Sequence, residues 1–195
     1  MTISIEDIVQ EYNGRTVIDH FSTGLENDQT LILYGPSGAG KTTLLRIILG
    51  LEKPTSGKVV LMGDYKYDRL SAGVVFQEDR LIESRSAVVN VAVAAKASQG
   101  HAREELSRLI DKDRLDIPVS ELTAAERRLV AIVRAMVHTA DLFLLDDPFR
   151  GLDTDARQKA ISYILEAKGS NPLLITAHEE DEFDFGRKVR MQAGR

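Results

Sequence analysis

The sequence predicts an α/β protein built around a mostly parallel sheet. Three observations carry that reading. Short, mainly apolar runs of strand length recur along the chain, as at Leu142–Leu145 and Leu173–Thr176. Segments with helical spacing separate them. One apolar run, LILYG, enters a glycine-rich loop, GPSGAGKTT, and a helix follows at once.

Taken in order, residues 3 to 34 hold apolar stretches divided by turn signals at Asn13-Gly14 and Asn27-Asp28, and end in the buried strand LILY. After the loop, Leu44, Leu45, Ile48 and Leu49 recur at helical spacing, and Gly50 closes the helix. Lys58 to Met62 and Gly73 to Phe76 read as further short strands. Residues 84 to 112, rich in alanine, glutamate, arginine and leucine, read as helices. The strands at Leu142 and Leu173 enclose a helix capped by Asp153 or Thr154 and ended by Gly169. Val189 to Gln192 would add a last strand.

The loop fills the pattern G-x-x-x-x-G-K-[ST] with Gly35, Gly40, Lys41 and Thr42, between a strand and a helix as phosphate binding requires. Its candidate nucleotide contacts are Gly35, Pro36, Ser37, Gly38, Ala39, Gly40, Lys41, Thr42 and Thr43. The glycines let backbone amides turn toward phosphate oxygens, and the helix start adds its N–H groups and positive dipole end. Lys41 would reach the β and γ phosphates, and the Thr42 hydroxyl would bind Mg²⁺. The implied ligands are ATP and Mg²⁺.

The stretch LLDDPFRGLD ends an apolar run with two adjacent carboxylates. An unpaired buried carboxylate costs several kcal/mol, so Asp146 and Asp147 must face a cation, a hydrogen-bond network or water. Beside a phosphate loop, Asp146 sits where an acid would hold Mg²⁺, directly or through water. Asp147 would orient or deprotonate the attacking water. Both have an ordinary alternative as solvated loop residues or helix caps.

Composition narrows the classes. The chain has 195 residues, 43 % hydrophobic and 28 % charged, which suits one globular domain. Its net charge of −5 argues against a broad nucleic-acid face. No window approaches an uninterrupted membrane-spanning length, and the N-terminus lacks a basic region followed by an apolar core, so neither a span nor a secretory signal is expected. The absence of cysteine excludes disulfides and thiol chemistry.

Taken with the phosphate loop, the glutamine in VVFQEDRL, the segment LTAAERRLVAIVRAM, LFLLDDP, the GLD after it and the TAHE near the end resemble an ATP-binding cassette (ABC) ATPase over nearly the whole chain. The resemblance implies a P-loop NTPase fold of ABC ATPase type, a single domain over 1–195. Such a domain has a parallel core, an antiparallel β subdomain and a small helical subdomain at about 80–138. It implies two cassettes sandwiching two ATP molecules, each site shared between one subunit's phosphate loop and the other's signature segment. By resemblance, Tyr12 stacks on adenine, and Gln77 senses Mg²⁺ and couples to a transmembrane permease. Asp153 contacts the opposite subunit, and His178 contacts the γ-phosphate. Each also has a plainer reading: a half-buried aromatic, a polar strand end, a helix cap, a satisfied core histidine. The implied location is cytoplasmic, peripheral on the inner face of the membrane through the permease. FQEDRLIESRSAVVNV is most similar to the nitrate, sulfonate and taurine importer group.

The sequence departs from the family pattern twice. In place of Leu-Ser-Gly-Gly-Gln stand Leu122, Thr123, Ala124, Ala125 and Glu126. Thr123, the candidate contact to the opposite nucleotide, keeps a hydroxyl and forms a capping box with Glu126, ahead of a buried stripe of Leu129, Ile132, Val133, Met136 and Val137. The alanine methyls and the Glu126 charge predict weaker closure on ATP unless Arg127 or Arg128 neutralises Glu126. Asp147 replaces the family's usual glutamate and is shorter by about 1.5 Å. A misplacement of that size costs roughly a hundredfold in rate, so slow hydrolysis is expected. Two other readings stay open: a degenerate cassette that binds and dimerises with little turnover, and a non-transport soluble P-loop ATPase or phosphotransferase.

Overall fold

The computed structural model describes residues 2–62, 71–192 and 194. In chain order the elements are β1 (Thr2–Tyr12), β2 (Arg15–Glu26), β3 (Thr30–Tyr34), α1 (Lys41–Ile48), β4 (Ser56–Met62), β5 (Ala72–Val75), α2 (Ala87–Ala95), α3 (Gln99–Leu106), α4 (Ala124–Val137), β6 (Leu142–Leu145), α5 (Thr154–Ala167), β7 (Leu173–Ala177) and β8 (Arg187–Arg190). The chain divides into two compact units, Met1–Leu70 with Leu144–Asp146 and Ser170–Arg195, and Ser71–Phe143 with Asp147–Gly169.

The first unit contains an antiparallel sheet ordered β2-β1-β4. Asn13 and Gly14 both take positive φ and join β1 to β2 while Tyr12 pairs with Arg15, the geometry of a two-residue hairpin whose twist suits the strands. Alternation buries Ile3 and Ile5 of β1, and a register shift between Ile5 and Ile8 brings Ile8 to the buried face.

A second, parallel set in this unit places β3 between β7 and β8. Leu31, Ile32 and Leu33 of β3 and every residue of β7 are buried, as in strands covered on both faces. The register pairs Tyr34 with Ala177 and Tyr34 with Arg190. The residues after β3 and β7, Gly35 and His178, therefore leave the sheet at the same edge, where parallel α/β sheets bind ligands. The last strand is β8, two residues earlier than the sequence pattern suggested.

In the second unit, Ser86, Ser98, Thr123 and Asp153 cap α2, α3, α4 and α5, each side chain accepting a backbone N–H of the first turn. α4 is the unit's central helix. Besides the predicted stripe it buries Val130, Ala131 and Ala135, whereas Val137 is only half-buried. Its apolar surface runs nearly all round, wider than a single stripe. Gly73 of β5 is demanded by packing, because a Cβ there would lie 2.5 Å from the Phe143 ring and 2.4 Å from the Ala135 carbonyl.

Among the described residues no helix is long and apolar enough to cross a membrane.

Candidate functional site

The phosphate loop begins where β3 stops. Gly35 has φ +150°, and a Cβ on it would fall 2.2 Å from the Met191 carbonyl oxygen, so only glycine fits. Gly40 closes the loop as the N-cap of α1 in the left-handed conformation, φ +86°. No side chain accepts a hydrogen bond at this cap, in contrast to the other four helices. A helix start built this way directs first-turn N–H groups and a positive dipole end into the loop, the arrangement that receives an anion. Lys41 is buried, and its ammonium donates to the carbonyls of Gly35 at 2.5 Å and Pro36 at 3.0 Å. Those carbonyls hold the charge across the mouth of the loop.

Asp146 is 2 % exposed, and both its oxygens are bonded: Oδ2 accepts from Thr42 at 2.7 Å and Oδ1 from Thr176 at 2.7 Å. This resolves the carboxylate's apparent misplacement at a buried strand end, because two hydroxyls from α1 and β7 satisfy it. Thr42 and Asp146 together present hard oxygen donors on adjacent elements, which suits Mg²⁺ completed by phosphate oxygens. Among the described residues no group of three or more His, Cys, Asp or Glu side chains forms a metal site by itself.

Tyr12 ends β1, 41 % exposed as a residue, with its hydroxyl donating to Glu52. Glu52 also accepts from Gln10 at 3.3 Å and pairs with Arg46 of α1 at 3.2 Å. Burial and the bond to Glu52 raise the Tyr12 pKa, against a smaller lowering by Thr43, which places the phenol beside the phosphate loop. His178 is exposed just past β7, and its backbone N–H donates to Glu182 at 2.6 Å.

The remaining predicted residues belong to the second unit. Gln77 is exposed after β5, and its carbonyl accepts from Arg128 at 2.6 Å. The same guanidinium holds the Phe76 carbonyl at 2.8 Å and pairs with Asp79 at 3.2 Å. Arg134 holds the carbonyls of Asp79 and Arg80, both at 2.8 Å. Asp147 is half-buried with φ +48°, a region Asp enters more readily than most side chains. Asp153 caps α5, its Oδ1 accepting from Ala156 at 2.8 Å. Thr123 and Glu126 form the predicted capping box, with Thr123 N–H on Glu126 Oε2 at 2.7 Å and Glu126 N–H on Thr123 Oγ1 at 3.2 Å.

The sequence left open whether Arg127 or Arg128 neutralises Glu126 or is simply solvated. Neither Arg127 nor Arg128 neutralises Glu126; Arg127 pairs with Glu83 at 2.5 Å, and Arg128, only 5 % exposed, is buried against the Gln77 segment. Positions one and two along a helix do not face each other, so these arginines point elsewhere. Arg114 supplies the partner, its Nε donating to Glu126 Oε1 at 2.9 Å. Sequence reasoning also missed Thr176 and Glu52. A threonine inside the otherwise apolar LLITA signalled a buried hydroxyl needing a partner.

Fold and loop define a P-loop nucleotide-binding protein. Residues 18–150 match the family described as ABC transporter, and the chain belongs to that family. It is 35 % identical over 190 residues to the aliphatic sulfonates import ATP-binding protein SsuB 1 of Rhodococcus jostii (strain RHA1), covering 96 % of this chain and 77 % of the relative. It is 31 % identical over 211 residues to the Fe(3+) ions import ATP-binding protein FbpC of Yersinia pestis, covering 100 % of this chain. The chain spans only 60 % of the length of that iron-import relative. Among solved structures, the cassette MJ0796 in a dimeric post-hydrolysis state bound to ADP and Pi is similar with TM-score 0.84 at 23 % identity, covering 97 % of this chain and 94 % of that one. An ABC transporter ATP-binding protein from Pyrococcus furiosus is similar with TM-score 0.85 at 22 % identity, covering 98 % of each chain. These two likenesses show the fold.

Proposed function

We propose that the chain is the ATP-binding and ATP-hydrolysing subunit of a membrane importer, working as a dimer of cassettes on a transmembrane permease. The observation that carries this reading is the Thr42–Asp146–Thr176 hydrogen-bond chain behind a loop whose Lys41 is already turned onto its own carbonyls. Thr42 and Asp146 are the residues we assign to Mg²⁺, which when bound would offset phosphate charge. Lys41 and the loop amides hold the phosphates, and Tyr12 supplies a face for the adenine.

Asp147 orients the attacking water, and His178 meets the γ-phosphate. Gln77, whose carbonyl α4 holds through Arg128, couples nucleotide state to the permease. Thr123 and Asp153 face a partner cassette. We read residues 1–195 as one nucleotide-binding domain with a helical subdomain at about 80–138, located in the cytoplasm at the inner face of the membrane. The similarity to sulfonate and iron import proteins supports import.

The test is MgATP hydrolysis by the purified chain over a range of protein concentrations, with Lys41→Ala and Asp147→Asn beside it. A rate that climbs faster than linearly and vanishes in both variants supports shared sites in a homodimer. ATP binding without turnover favours the degenerate-cassette reading, which Ala124, Ala125, Glu126 and Asp147 motivate. Failure to bind ATP sinks both.

A further inference from the structure

We propose that Arg114 is a positioning residue of the signature face, fixing and neutralising Glu126 so that the start of α4 can receive a partner's nucleotide phosphate. The proposal rests on the dimeric ATPase reading and deepens it. Glu126 occupies the first turn of α4, where a carboxylate competes with phosphate for the same amides and dipole field. Left alone, its charge would repel the ligand that this face is meant to meet.

The geometry removes that charge from the face. Arg114 Nε donates to Glu126 Oε1 at 2.9 Å and Arg114 Nη2 to Oε2 at 3.2 Å, while the Thr123 N–H takes Oε2 at 2.7 Å. Both carboxylate oxygens are thus turned back onto the protein. The guanidinium is held in place by the Glu121 carbonyl at 2.9 Å, so the fork is oriented before any ligand arrives. Arg114 and Glu126 are 33 % and 21 % exposed, which shields the pair from full solvent screening. Asp113 and Glu121 also act on Arg114, so its guanidinium is held among further carboxylates.

The other arginines of the region are committed: Arg127 to Glu83 and the Val119 carbonyl, Arg128 and Arg134 to the 76–80 segment. None replaces Arg114 without giving up its own partners. The separation of roles makes a specific claim: Arg114 acts through the charge of Glu126, and removing that charge makes Arg114 dispensable.

The experiment compares the full chain with Arg114→Ala, Arg114→Lys, Glu126→Gln and the Arg114→Ala/Glu126→Gln double variant. It reads ATP binding to the monomer, ATP-driven dimerisation by light scattering, and thermal melting as a check on folding. Glutamine keeps the capping box while losing the charge. The expected result is unchanged monomer binding in all five proteins, with dimerisation weakened about ten- to a hundredfold in Arg114→Ala, as for one uncompensated charge near a phosphate at intermediate dielectric. Arg114→Lys falls between, Glu126→Gln matches or exceeds wild type, and the double variant returns to within a few-fold of Glu126→Gln. Arg114→Ala that dimerises normally overturns the proposal, as does a double variant as weak as Arg114→Ala. Wild type that binds no ATP, or binds it and never dimerises with itself or a second cassette, overturns the dimeric reading and this inference together.

Discussion

Arg128→Met tests how strongly α4 is tied to the segment carrying Gln77. Methionine keeps most of the aliphatic stem and deletes the guanidinium, so packing changes little and polar contacts change greatly. What is lost is a buried cation that serves the carbonyls of Phe76 and Gln77 at 2.8 and 2.6 Å and the Asp79 carboxylate at 3.2 Å. Asp79 Oδ1 is buried with no other hydrogen-bond partner and would lose its ion pair. Removing one member of a buried pair costs about 3–5 kcal/mol, and the 19 % exposure of Asp79 argues for the lower end, about 3 kcal/mol. In a chain of this size that lowers the melting temperature by about 6–12 °C. Urea unfolding followed by circular dichroism measures it. Asp79→Asn leaves both carbonyl bonds intact and should cost about 1 kcal/mol. A loss below about 1 kcal/mol in Arg128→Met, or an equal loss in both variants, would refute the assignment of the guanidinium as the tie.

Glu52→Ala releases the Tyr12 hydroxyl, the Gln10 amide and Arg46 together, so the KM for ATP should rise about three- to tenfold with kcat little changed, measured by steady-state hydrolysis. Gly35→Ala, whose Cβ meets a carbonyl at 2.2 Å, should cost at least about 3 kcal/mol in denaturant titration, whereas Gly38→Ala, with open space around it, should cost about 1 kcal/mol for its positive φ. Arg114 and the Thr123 bonds hold the Glu126 pKa below its ordinary 4.5. Its folded-state contribution is therefore complete above the ordinary value and disappears as pH falls through the lowered one, so the stability gap between wild type and Glu126→Gln should be constant at neutral pH and close in acid. Asp147→Gly keeps a backbone that can hold φ +48° while removing the carboxylate, and should abolish hydrolysis; retained turnover would remove Asp147 from the catalytic role.

The parts legible in the sequence were those written in local pattern. Continuous apolar runs marked β3, β6 and β7, since strands covered on both faces need no alternation. The phosphate loop and the Thr123–Glu126 box were legible because their spacing is their mechanism. What escaped was chosen by the tertiary fold. Thr176 reaches Asp146 across 30 positions, and Arg128 reaches Phe76 across 52. A guanidinium on an amphipathic helix reads as solvated until a distant carbonyl is brought to it. Arg114 was hidden for the same reason, since a short helical turn between α3 and α4 sets its direction.

The two helix starts that the proposed function uses are built in opposite ways from the same physics. α1 begins at a left-handed glycine with no side-chain cap, leaving its dipole end for an external anion. α4 begins with a threonine and a glutamate that cap each other, and so carries its own internal anion. A helix start already occupied by a carboxylate stabilises the free monomer and competes with any phosphate brought to it. On the proposed function, closure on a nucleotide at α4 should therefore be weaker than binding at α1. Under the proposed function, such a chain would hold ATP at its own loop first and dimerise second. The strength of that second step depends on how completely Arg114 cancels Glu126.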